Sequence, residues 1–375
     1  MKHTTIFKDP EKYCSFPSIV RLKSGHLLLA FRMAGERSVR AAQVGAVTHH
    51  DPESSIGLIE SLDNGQNWPN ENVRIISETE ANQGVNDPGL SVLENGDLLL
   101  RNAVLDIVPT MERKKIKGKL VSHRPEHNLV ATLLGNQILI SSDEGKIWNE
   151  LAAHDTEGLK NTCSREPVLE LDDNSLLLSV YYGAPQSCDQ VSLLRSYDGG
   201  VSWGDLSIIA SDPNGQLGQH SGTNYNETAI LHLGNGEILA MIRADRSFIS
   251  EDGKPIPVGG IGELMVSRSF DAGLSWVPPS PSGIWGQPAH LLRMNDGRIL
   301  CTYGYRKQPY GIRAVISEDR GYTWSDSIVL RANAPSWDIG YPCSLHLQDD
   351  SILTAYYFHE EDGIRYIAST IWRPL

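Results

Sequence analysis

The chain has 375 residues, 40% of them hydrophobic and 21% charged, which is enough for a sizeable core in two average domains or one large all-β domain. A formal net charge of −13 disfavours a nucleic-acid partner, whose phosphates require a basic face, and no segment has the length and apolarity of a membrane span. The five cysteines are odd in number, scattered and never at CxxC spacing, so we expect buried, reduced thiols and neither a disulfide framework nor a zinc site.

The N-terminal stretch MKHTTIFKDPEKYCSFP has no apolar core of the kind a secretory signal carries, and a cytoplasmic location is the expectation. The first predicted element is a hairpin, PSIVRLKSGHLLLAF from Pro17: two alternating apolar strands around a turn. An eight-residue box, SLDNGQNW, follows at Ser61. The pair then recurs. PGLSVLENGDLLL from Pro88 precedes SSDEGKIW at Ser141, and PVLELDDNSLLLSV from Pro167 precedes SYDGGVSW at Ser196. TAILHLGNGEILAM from Thr228 precedes SFDAGLSW at Ser269, and PAHLLRMNDGRILC from Pro288 precedes SEDRGYTW at Ser317. A sixth hairpin, PCSLHLQDDSILTA from Pro342, has no box after it.

Asn-Gly and Asp-Gly flanked by alternating hydrophobics are strong hairpin signals. The hairpins start about 54 to 79 residues apart, a spacing that suits propeller blades and is too long for small solenoid repeats. The pattern therefore predicts an all-β fold, one six-bladed β-propeller over residues 1–375 with four antiparallel strands per blade. The segment near Thr4–Phe7 is expected to supply an outer strand to the last blade, so that both termini close the same blade. Each box reads as a turn staple. Its Asp accepts hydrogen bonds from turn amides, its Gly supplies a positive φ, and its Trp packs back between strands. We expect the five box tryptophans to be largely buried and the boxes to lie away from any central pocket. The basic run MERKKIKGKLVSHR at 111–124 reads as a solvated hairpin or loop at the rim of blade two.

Five such boxes on six blades resemble the sialidase (neuraminidase) superfamily, over essentially the whole chain. The resemblance implies an exo-acting glycoside hydrolase that releases a terminal carboxylated, sialic-acid-like sugar. It implies Tyr341 in DIGYPCSLHL as nucleophile, Glu227 in NYNETAILHL as its base, and Asp51 in HHDPESS as acid/base. It further implies Arg243 and Arg313 as carboxylate-binding arginines. The chemistry accounts for these types: a phenol avoids the repulsion that a carboxylate nucleophile would meet at a carboxylated anomeric carbon, but needs a base to remove its proton. Arginine forks hold the carboxylate.

The chain departs from the family pattern at CSFPSI, where Ser15 stands in place of the first arginine of a Tyr-Arg-Ile-Pro-like phrase. Arg32, Arg37 and Arg40 lie nearby in FRMAGERSVR, and Arg37 falls where the family often carries an arginine. Glu166 in CSREPVLEL occupies the place in blade three that Glu227 occupies in blade four. This leaves two alternatives open: a neutral-sugar exo-glycosidase of exo-arabinanase type using two Glu residues, and a non-catalytic glycan-binding propeller. No metal site is expected, because His49 and His50 lack companions at ligand spacing. No cofactor motif is present, and the expected partner is a small-molecule or glycan substrate, with neither nucleic acid nor membrane.

Overall fold

The computed structural model describes residues 1–45, 49–77, 82–115, 120–124, 128–183, 188–214, 222–246, 248–249, 255–256 and 262–374, with the side chains of 77, 113–127 and 246–261 outside that description. Six sheets follow one another along the chain as the blades of a propeller. Blade one comprises Tyr13–Arg21, Leu27–Ala34, Ser55–Ser61 and Arg74–Ser77, in that order from the axis outward. Blade two comprises Gln83–Val92, Leu98–Pro109, Leu129–Ser141 and Asn149–Ala152. An additional strand, Leu120–Arg124, pairs with Leu129–Ser141 and carries part of the basic run; from residue 113 on, the side chains of that run lie outside the described residues.

Blade three (Leu169–Glu170, Leu176–Tyr182, Gln190–Ser196, Gly204–Ala210), blade four (Thr223–Gly234, Glu237–Arg246, Glu263–Ser269, Ser280–Trp285) and blade five (Ala289–Arg293, Ile299–Tyr305, Tyr310–Ser317, Ile328–Ala334) repeat the plan. Blade six takes Gly340–His346, Ile352–Phe358 and Tyr366–Trp372 from the C-terminal end. Its outermost strand is Lys2–Phe7, paired antiparallel with Thr4 opposite Ser369. A final strand donated by the other end of the chain removes the exposed edge that an open ring would present.

The core is divided among the joints between blades. Leu29, Phe31, Leu353 and Tyr357 pack between blades one and six. Leu28, Leu90 and Leu100 pack between blades one and two, and similar apolar layers fill the other four joints. Alternation along each strand gives a blade two apolar faces, one for each neighbour. All five cysteines are buried and free.

The boxes behave as staples. In the fifth, the Ser317 hydroxyl donates to Asp319 Oδ1 at 2.8 Å and accepts from the Gly321 amide at 2.7 Å, while Asp319 Oδ1 also accepts from the amides of Tyr322 and Thr323. The residue after each Asp and the following Gly both have positive φ, as in Arg320 (63°) and Gly321 (84°), which is why glycine recurs there. The tryptophans are less uniform than expected. Trp68 and Trp203 are buried, but Trp148, Trp276 and Trp324 are half-buried, packed against the margins of the apolar layers between blades.

Candidate active site

The first strands of neighbouring blades lie side by side around the axis, with Tyr13–Arg21 between Gln83–Val92 and Gly340–His346. Their starts therefore share one end of the ring. One residue in each blade holds the same place there: Phe16, Asp87, Glu166, Glu227, Gln287 and Tyr341. All six are buried, and all but Glu227 precede a proline. In blades one, two, four and six the strand register slips at this residue, a bulge that turns the side chain out of the sheet's alternation. Phe16, Asp87 and Tyr341 also have φ of 55°, 47° and 50°, a left-handed backbone that costs non-glycine residues on the order of 1–3 kcal/mol and tends to accompany function.

Across this ring the Tyr341 hydroxyl donates a short hydrogen bond to Glu227 Oε1. Arg243 Nη1 donates to Glu227 Oε2 at 2.5 Å and lies 3.5 Å from the Tyr341 oxygen. Arg243 Nε sits 3.0 Å from Asp245 Oδ2, an ion-pair contact without hydrogen-bond alignment, and Asp245 accepts from Asn226 Nδ2 at 3.1 Å. Arg306 donates to the Ile339 carbonyl, and its guanidinium lies 5.6 Å from the Tyr341 ring centroid. Burial and then the Glu227 charge push the Tyr341 phenol well above its ordinary pKa. Burial would raise Glu227 too, but Arg243 foremost, with the Tyr341 hydroxyl and Arg306, brings it below the usual carboxylate range. The resting proton therefore belongs to Tyr341.

Two other carboxyls differ from Glu227. Asp87 is pushed up to about 7, first by burial and then by the charge on Glu227, with Arg101, Arg165 and Arg32 opposing. Glu166 is raised by burial, although it is tightly ion-paired to Arg165. Arg165 in turn donates to the carbonyls of Ala289 (2.9 Å) and Pro342 (2.6 Å), tying blades three, five and six together beneath the ring. A third buried acid, Asp338, accepts from Tyr13, Tyr357, Arg365 and His49; burial would raise it, but His49 foremost, with Arg365 and Tyr13, holds it below the usual carboxylate range. His49 is thereby placed edge-on to Phe16, whose ring lies 4.4 Å from that of Tyr341.

The sequence-predicted residues divide clearly. Tyr341, Glu227, Arg243 and Glu166 belong to the ring. Asp51 is fully buried beneath the short helix Glu36–Gln43, where the Ser38 hydroxyl donates to its Oδ2 at 2.6 Å and the Glu53 amide to its Oδ1 at 2.9 Å. Arg37 is exposed on that helix, on the turn face opposite the buried Ser38 and Val39. Arg313 does not join the cluster. It lies on the third strand of blade five, one strand farther from the axis than Ile299–Tyr305, stacked 3.4 Å from the Tyr305 ring centroid and donating to Ser327.

Three residues of the site went unselected: Asp87, Arg306 and Arg32. Superposing the six hairpins in sequence would have flagged Asp87, since NDPGLS matches GYPCSL and REPVLE in phase. It would also have flagged Arg32. In the paired strands Arg32 faces Ser15, the residue before Phe16, just as Arg243 faces Asn226, the residue before Glu227.

Comparison with known proteins follows the architecture. Residues 120–354 match the BNR repeat-like domain family. A protein of unknown function from Dyadobacter fermentans superposes with a TM-score of 0.80 at 26% identity, over 99% of this chain and 97% of that one. The NanB sialidase of Streptococcus pneumoniae superposes with a TM-score of 0.67 at 14% identity, over 99% of this chain and 70% of that one. The alpha-L-arabinanase of Penicillium chrysogenum, solved with arabinobiose, gives 0.62 at 13% identity over 100% and 98%. No curated protein sequence matches the chain. With the family match spanning more than half of its length, the chain belongs to the BNR repeat-like domain family, and its six blades share their fold with these structures.

Proposed function

We propose that this protein is an exo-acting glycoside hydrolase that releases a terminal carboxylated, sialic-acid-like sugar, with Tyr341 as nucleophile. The observation that carries this reading is the hydrogen bond from the Tyr341 hydroxyl to Glu227, inside a ring where Arg243 and Arg306 also approach the phenol. The phenol attacks the anomeric carbon as the bond to the leaving oxygen breaks, and its proton passes to Glu227. That transfer is uphill in the resting site. It becomes favourable as positive charge develops on the sugar ring beside the phenolate. Asp51, entering the cycle protonated, gives its proton to the leaving oxygen and then takes one from the water that releases the sugar, while Glu227 returns its proton to the freed Tyr341 oxygen. The arginines hold the substrate's carboxylate as paired forks.

One observation favours a second reading, hydrolysis of a neutral sugar by two carboxylates: Glu166 carries a raised pKa and stands one blade from Glu227. Its tight ion pair with Arg165 weighs against it as a free acid. A panel of aryl glycosides separates the readings: α-sialosides and deaminated sialosides on one side, arabinosides on the other. Turnover of the carboxylated members alone is expected. Turnover of arabinosides alone would move the assignment to the two-carboxylate mechanism, and no turnover of any member would make the protein a glycan-binding propeller.

A further inference from the structure

Arg32 is among the largest fully buried side chains of the protein, at 0% exposure, yet none of its three guanidinium nitrogens has a hydrogen-bond partner among the described residues. Other buried arginines of the same ring are fully engaged. Arg101, also at 0%, spends its nitrogens on the carbonyls of Ser164 and Glu166, and Arg165 spends its own on Ala289, Pro342 and Glu166. Buried arginines elsewhere in the fold are likewise engaged, Arg268 by Glu237 and Arg365 by Asp338. An unpaired buried guanidinium is costly and calls for an anion.

Its position sharpens the point. Arg32 holds in blade one the place that Arg243 holds in blade four, opposite the residue that precedes the bulge. In blade four the bulge residue is Glu227 and the residue two beyond Arg243 is Asp245, so Arg243 finds both carboxylates within its own blade. In blade one the corresponding residues are Phe16 and Ala34, and neither carries a carboxylate; the Arg32 guanidinium keeps a long cation–π contact, 5.9 Å from the Tyr13 ring centroid. The residue facing Arg32 is Ser15, whose hydroxyl is buried and equally without a partner. A guanidinium fork and a hydroxyl, both donors and both unspent, thus face each other across one strand pair, next to Phe16 in the ring that holds Glu227 and Tyr341. Asp51 and Asp87 lie within electrostatic reach of Arg32 but accept no hydrogen bond from it.

We infer that Arg32, with the Ser15 hydroxyl opposite it, is a carboxylate-binding fork for the substrate, carried on the second strand of blade one in place of the arginine that Ser15 replaces on the first. This rests on the carboxylated-sugar reading above, and makes Arg32 a specificity-determining residue of that site. Ser15 is then no defect: a small side chain there leaves room for the guanidinium that arrives from the neighbouring strand.

The test is calorimetric binding of a 2,3-unsaturated sialic acid glycal and of its methyl ester, which differ only in the charge and acceptor capacity of the carboxylate. Wild type is expected to prefer the acid by about a hundredfold or more, and Arg32→Gln to lose at least roughly tenfold of that preference while binding the ester as before. Moving the fork back, in the double variant Ser15→Arg with Arg32→Ser, should restore the preference and guards against a poorly folded single variant. A crystal of the wild type with the glycal decides independently of any variant: the carboxylate should lie within hydrogen-bond distance of Arg32 and Ser15. A preference unchanged in Arg32→Gln, or a carboxylate held elsewhere with only water at Arg32, overturns this inference and leaves the proposed function standing. A wild type indifferent between acid and ester overturns both.

Discussion

The two ends of each blade teach opposite lessons about repetition. At the end away from the pocket, five boxes carry the same Ser, Asp, Gly and Trp, and make the same hydrogen bonds, Ser hydroxyl to Asp and Gly amide to Ser hydroxyl, each time. Their carboxylates are solvent-facing and held below the ordinary range by short local hydrogen bonds, Asp198 and Asp319 to about 2. At the pocket end, six equivalent positions carry five different residue types in one buried ring. There Asp87 rises to about 7 and Glu227 falls, although both are carboxyls at the same structural place. Where a position repeats its residue, it is solving a folding problem. Where it keeps its geometry and changes its residue, each blade contributes a different group to one task.

The largest effect should come from the pocket end. Tyr341→Phe removes a single oxygen from a packed ring, and should lower kcat on the order of a thousandfold while leaving the unfolding temperature nearly unchanged. Glu227→Gln should be comparably damaging, since an amide cannot take the phenol's proton, whereas Glu166→Gln should leave most turnover intact. Steady-state kinetics on the best aryl glycoside reads all three. If Glu166→Gln is the lethal change and Tyr341→Phe keeps more than about a tenth of the rate, the ring works through two carboxylates and its contrast with the boxes survives in a different form.

Asp87 offers a test by pH. Its folded pKa of about 7 lies above the ordinary Asp value, so the folded state holds its proton more firmly than the unfolded state between those limits. Stability is therefore lost as pH rises from about 4 toward 7, and the ionised carboxyl remains a burden above that. Asp87→Asn should be more stable than wild type at pH 8, on the order of 1–3 kcal/mol, with the gain shrinking toward pH 4. Chemical denaturation at pH 5 and pH 8 measures the difference. A gain that is equal at both values would show that Asp87 titrates normally.

The same contrast explains what was legible in the sequence. Hairpins and boxes are local devices: Asn-Gly turns, alternating strands and the Ser-x-Asp phrase encode their geometry within a dozen residues, so six blades and their order could be read directly. Tyr341 and Glu227 were legible because strand starts meet by construction. Which arginine of YGYRKQPYGIR reaches the axis was not. Arg306 and Arg313 flank one hairpin turn, and only the pairing of Tyr303 with Arg313 reveals that the second has already passed to the outer strand. Arg32 was seen among three nearby arginines, but its isolation depends on Phe16 and Ala34, which no local pattern marks. Asp51 was legible as a loop acid. Its burial under Ser38 required the helix.

A smaller effect should follow from breaking a box. Ser317 is buried and bridges the Gly321 amide to Asp319. Ser317→Ala leaves that amide unsatisfied in the joint between blades and should cost about 1–2 kcal/mol by denaturant titration, with kcat/KM unchanged at a temperature where the variant is folded. An activity loss without a stability loss would place chemistry where we place only folding.

The smallest effect is expected at Arg313. Its guanidinium stacks on Tyr305 and bonds Ser327 on the outer side of blade five, so Arg313→Ala should remove a cation–π contact worth about 0.5–1 kcal/mol and leave kcat/KM within roughly twofold. Arg306→Ala, seven residues earlier in the chain but beside the Tyr341 ring, should lower kcat/KM at least tenfold and lose most of the preference for a carboxylated ligand over its ester. The pair makes a controlled comparison within one hairpin: same residue type, same blade, similar loss of charge, and only the distance from the axis differs. Equal effects of the two changes on kcat/KM would mean that the field of the whole blade, and not contact at the ring, sets how this propeller handles an anion.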